Sequence, residues 1–116
     1  MAPDADPDRV AKIDALLSHV WMVRTFLKHS EEAEEDDDLC DVHRGLYDVM
    51  LALGGPLAAG DTEGYLKQAK KKLRKLKQAT ELFEEIQPEI STHTNFIMAR
   101  QSLVVAVSQV EQLLAE

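Results

Sequence analysis

The sequence predicts an all-α fold, an antiparallel up-down-up-down four-helix bundle. Apolar residues recur at helical spacing through four long stretches. Short connections bearing Asp, Gly or Pro separate these stretches, and short connections make antiparallel neighbours. Ala, Leu, Glu and Lys dominate while Gly, Pro and aromatic residues are sparse, a balance that favours helix over sheet.

Residues 1–6 read as a disordered acidic tail, and residues 7–116 as a single domain. Asp6-Pro7 supplies an N-cap and a proline for the first helical position, so the first helix spans about 7–33. Its stripe is Val10, Ile13, Leu17, Val20, Arg24 and Leu27. Eight of the twelve residues from Ser30 to Asp41 are acidic. Such a run repels itself and has little to bury, so a turn belongs inside it. Asp36, Asp37 or Asp38 then caps the second helix, about 38–54, which buries Leu39, Val42, Leu46, Val49 or Met50, and Leu53.

Gly54-Gly55-Pro56 reads as its stop. Asp61 caps the third helix, about 61–87, with Leu66, Ala69, Leu73, Leu76, Thr80 and Phe83 on one face. Gln87-Pro88 breaks that helix and starts the fourth, about 88–115. The last stripe runs Ile90, His93, Ile97, Arg100, Val104, Val107, Glu111 and Leu114. An alternative keeps the first 54 residues as one bent helix, giving a three-helix protein that must dimerise.

Composition excludes several functions. The net charge of −8 argues against nucleic acid and anionic lipid as partners. Seven of the thirteen basic residues crowd the third helix between Lys67 and Lys77, most of them opposite its apolar face, where they read as a solvated surface. No run of about 18 apolar residues exists to span a membrane. The single Cys40 excludes an internal disulfide and fits a cytoplasmic location. No Gly-rich phosphate loop, His-Glu-x-x-His or Gly-x-Ser-x-Gly occurs, so neither an enzyme nor a cofactor is expected. Cys40 and His43 resemble a nucleophile–base pair, but the surrounding carboxylates disfavour a thiolate.

Three groups of residues stand out. The first is Arg24 and Arg100, which fall in apolar stripes. A guanidinium keeps its charge, so each needs a carboxylate (Asp48, Glu81 or Glu84), an anionic ligand, or a path to water. With His43 and His93 they could line an internal small-anion or metal site; the plainer alternative is a buried polar layer. The second is His29 with Glu32 and Glu89 with His93, each pair spaced to share a helix face and hold a metal. The Glu-x-x-His element of di-iron bundles is absent. The third is Trp21, Met22 and Phe26, which leave the first helix apolar on more than one side. Aromatic residues and Met are enriched at interfaces, so these three are expected to anchor one. The resulting reading is a non-enzymatic interaction or oligomerisation module, a homo-oligomer with a dimer favoured, or the binder of a protein partner.

Overall fold

The computed structural model describes residues 5–116. Among the described residues there are five helices and no strand: α1 (Ala5–Lys28), α2 (Glu31–Glu35), α3 (Asp37–Ala58), α4 (Thr62–Ile90) and α5 (Thr94–Ala115). The four long helices touch in a ring: α1 packs on α3 and α5, and α4 packs on the same two. The result is 47 Å long and about 20 Å across (22 × 19 Å).

Four boundaries differ from the sequence expectation, each for a local reason. Residues 1–4 of the expected tail lie outside the described residues, and Ala5 and Asp6 already belong to α1. Asp6 is therefore inside the first turn, where it accepts from Arg9 at 3.1 Å, and is not an N-cap. Pro7 sits in that turn, where a missing N–H costs nothing.

The first helix stops at Lys28, not near residue 33. Ser30 intervenes: its hydroxyl donates to the Leu27 carbonyl at 2.6 Å and accepts from the Ala33 N–H at 3.3 Å. Glu31, Glu32 and Glu34 then fall in the first turn of α2, where carboxylates favour the positive end of the helix dipole. This five-residue helix buries only Ala33. The Cys40 thiol ties it to α3, donating to the Ala33 carbonyl at 3.0 Å. Asp36 caps α3 through the Leu39 N–H at 2.8 Å.

Gly54-Gly55-Pro56 does not end α3, which carries Pro56 through to Ala58. The stop is Gly60, at φ +66°. Its N–H bonds the Leu57 carbonyl at 3.1 Å, and the Asp61 N–H bonds that of Pro56 at 2.9 Å. That paired closure requires a left-handed residue, which Gly adopts without a steric penalty. Asp61 then caps α4 by accepting from Gly64 N–H at 2.9 Å.

Pro88 likewise lies within the last turn of α4 rather than opening the next helix. The break falls at Ser91, whose extended backbone ends α4 while its carbonyl accepts from Gln87 Nε2 at 2.8 Å.

The core is continuous. Ile13, Leu17, Val20 and Leu27 of α1 meet Leu39, Val42, Leu46 and Val49 of α3, Tyr65, Leu76 and Phe83 of α4, and Leu103, Val107 and Val110 of α5. On α3 the expected residues are the buried ones. On α5 the phase is different: the buried face is Phe96, Ala99, Leu103, Ala106, Val107, Val110 and Leu114. Ile97, Arg100 and Val104 flank it, half-buried. Leu103-Val104-Val105-Ala106-Val107 is apolar on every side, so periodicity cannot choose the face.

Tyr65 is buried, and its hydroxyl has no hydrogen-bond partner. Burial, with the Asp14 carboxylate as a lesser cause, pushes the phenol well above its ordinary pKa, so it remains a neutral unpaired donor. Removing that oxygen relieves a desolvation cost at little loss of packing. Tyr65→Phe is therefore expected to stabilise the fold by about 1 kcal/mol in urea denaturation. A loss of stability would mean that the hydroxyl has an acceptor.

Candidate functional site: two seams on opposite sides of α1

Trp21 and Met22 are sequence neighbours on α1, so their side chains diverge by about 100°. Trp21 leans toward α3, and Met22 toward α5. The expected interface of Trp21, Met22 and Phe26 is thereby divided between two seams.

On the α1–α3 side, Trp21 and Tyr47 lie with ring centroids 6.3 Å apart. The Arg24 guanidinium is 4.7 Å from the centroid of each ring. Arg24 is 9% exposed and makes no ion pair or hydrogen bond among the described residues; its Nε is buried without a partner. None of the three expected solutions for a buried arginine was a pair of aromatic faces, yet that is where this one sits. Cation–π attraction offsets part of the desolvation cost. Asp48, a candidate partner, is instead taken by Lys75 at 2.8 Å.

Lys28 follows Arg24 by one helical turn, and His43 and Arg44 precede Tyr47 by one turn on α3. Three cations therefore gather at this seam in a protein of net charge −8. Burial and then Arg24, Arg44 and Lys28 hold His43 below the ordinary imidazole pKa. Arg100 is absent from those charges. It lies half-buried on α5 with an unpartnered Nε.

His43 has a consequence for acid stability. Its folded pKa lies below the unfolded value of 6.5, so the unfolded chain binds the proton more readily. Stability due to this residue is complete above pH 6.5 and falls as pH drops through 6.5 toward the folded pKa. His43→Gln should flatten the decline in melting temperature between about pH 7 and 5. An unchanged slope would remove His43 as its source.

A helix boundary falls within each of the expected metal pairs. His29 lies in the turn after α1 while Glu32 is in α2, and Glu89 is in α4 while His93 precedes α5. A helix boundary separates each pair, so helical spacing no longer aligns them. His93 is the exposed N-cap of α5, its Nδ1 accepting from the Asn95 N–H at 3.0 Å. Among the described residues, no group of three or more His, Cys, Asp or Glu could hold a metal ion.

Lys75 and Lys77 pair with Asp48 and with Glu111, the latter at 2.7 Å. These exposed pairs orient helices more than they stabilise them.

On the α1–α5 side lies a long, open groove. It consists of three joined depressions of about 750, 540 and 340 Å³. Leu16, Val105 and Gln109 are shared by the first two, and Met98 and Ser102 by the second and third. Met22, Met98 and Val105 are 64, 54 and 55% exposed along it. Phe26 is half-buried at its end, edge-on to Phe96 at 5.0 Å. Only Lys12 and Glu116 among the lining residues carry a full charge, both in the same depression. Met98 and Val105 were missed in the sequence; the signal was the apolar stretch of α5, which resembles that of α1.

The groove also holds His19 and Ser102, Nδ1 to Oγ at 3.4 Å. That distance is long for a nucleophile and its base, and no acid among the described residues bonds His19. Ser102 stands in mid-helix, where neighbouring backbone N–H groups are committed to the helix and cannot form an oxyanion hole. No family model, curated protein or solved structure matches the chain.

Proposed function

We propose that this protein is a non-enzymatic, cytoplasmic interaction module that self-associates through the α1–α5 groove, its long helices forming an antiparallel four-helix bundle. The bundle reading is supported by cross-helix partners whose numbers run oppositely. Arg9 reaches Leu113, His19 reaches Ser102 and Phe26 reaches Phe96, so α1 and α5 run antiparallel. Trp21 meets Tyr47, Asp48 meets Lys75, and Glu111 meets Lys77 around the rest of the ring. Among the described residues no helix is long and apolar enough to cross a membrane.

The observation that carries the interaction reading is the nearly uncharged groove. Charged residues make up 29% of the chain, yet the seam between Ala15 and Met98 bears none. Two copies of a −8 protein repel, and they approach at least cost where neither presents charge. A two-fold pairing of this face with itself needs no complementary partner. By helix geometry the face measures roughly 25 by 20 Å, about 500 Å² per protomer. A dimer would then bury about 1,000 Å², at the lower bound for a specific interface and suited to a reversible one.

Sedimentation equilibrium across a wide concentration range tests the reading. A monomer–dimer equilibrium that ignores added salt is the expected result, because the face offers no charge to screen. A monomer at every concentration would overturn it.

A further inference from the structure

We propose that Arg24, Lys28 and Arg44, with Trp21 and Tyr47 packed against the Arg24 guanidinium, form a binding site for a phosphate group at the α1–α3 seam. This goes beyond the self-association reading, because the site lies on the other side of α1. The Arg24 side chain is nine-tenths buried and immobilised, and it lacks any acceptor among the described residues. The two rings stand at about a right angle around the guanidinium, 4.7 Å to each centroid and 6.3 Å between them, so they cover part of it and leave its edge N–H donors without a partner among the described residues. Edge donors match the oxygens of an oxyanion, where a bidentate contact is strongest.

The charge at the seam favours phosphate over a carboxylate. Arg24 and Lys28 stand one turn apart on α1, Arg44 stands one turn from Tyr47, against whose ring Arg24 packs, and none of the three forms an ion pair among the described residues. The chain carries 21 acidic residues, eight of them in the adjoining segment Ser30–Asp41, yet no carboxylate answers these cations. A phosphate dianion neutralises more of that charge than one carboxylate and presents more acceptor oxygens. His43 sits beside the cluster, where the neighbouring cations favour its neutral form.

Trp21 is the only tryptophan, so its fluorescence reports on this seam directly. Inorganic phosphate titrated into the protein at fixed ionic strength is expected to change that fluorescence saturably. Acetate should bind at least about tenfold more weakly, one charge-assisted contact accounting for that factor. Arg44→Gln, an exposed position outside the core, is expected to weaken phosphate binding by at least about tenfold, and Arg24→Gln to abolish it. Lys71→Gln, on the exposed face of α4, should leave it unchanged. Because Arg24→Gln also alters packing, Arg44→Gln decides the question. Three results would each overturn the proposal: a response matched by sodium chloride, acetate binding as tightly as phosphate, or full affinity in Arg44→Gln.

Discussion

A Met22→Glu, Met98→Glu double variant is expected to remain monomeric at concentrations where the proposed dimer of the parent protein would form. Both side chains are more than half exposed, at 64 and 54%, so the folded protomer tolerates the substitutions. In a two-fold dimer each change occurs twice, so four carboxylates would enter a face whose lining residues include a single cation, Lys12. Desolvating unpaired charge costs several kcal/mol per group, and like charges across an interface add to it. The dimer dissociation constant should rise by at least about 100-fold, read by sedimentation equilibrium with an unchanged far-ultraviolet spectrum. Leu51→Glu is the control: Leu51 is 65% exposed on α3, away from the groove. If Leu51→Glu dissociates the dimer and the double variant does not, the interface lies at the α1–α3 side instead.

Phe83→Ala should cost about 3–5 kcal/mol, the range for emptying a buried aromatic site. Phe83 has no exposed surface and stands on α4, the helix that packs on both α3 and α5. Alanine keeps the helix, so the loss is one of packing and not of local propensity. Total stabilities of small domains are about 5–15 kcal/mol, so the variant surrenders a large fraction. The urea midpoint should fall sharply while the slope of the transition is retained. A cost below about 1 kcal/mol would show that this part of the core is loosely packed. The contrast with Tyr65→Phe is informative, since two aromatic positions on one helix are expected to respond with opposite sign.

The candidate sites were only partly legible in the sequence. Arg24 was conspicuous because its position in a clear helical stripe is incompatible with its charge. Its partners were not, because Tyr47 is remote in sequence and aromatic faces are not a charge signal. Arg100 attracted attention through a stripe of the wrong phase. The metal pairs were read on helices extrapolated past a local cap: Ser30 separates His29 from Glu32, and Ser91 separates Glu89 from His93. In both places a side-chain or cap hydrogen bond is worth enough to end a helix that spacing alone would continue.

By itself the sequence determined the all-α class, the buried faces of α1 and α3, and the Asp61 cap, and it narrowed the cap of α3 to Asp36, Asp37 or Asp38. Each follows from interactions within a few residues: a period of apolar side chains, or a carboxylate three residues ahead of a free backbone N–H. Tertiary structure alone decided which side of α5 is buried, that Trp21 and Met22 serve different seams, and that Arg24 lies between two rings. Those outcomes, the last being two rings set at about a right angle against the guanidinium, depend on which helix packs against which. Where a helix is apolar all round, its own pattern contains no preference, and only its neighbours can choose the face that leaves water.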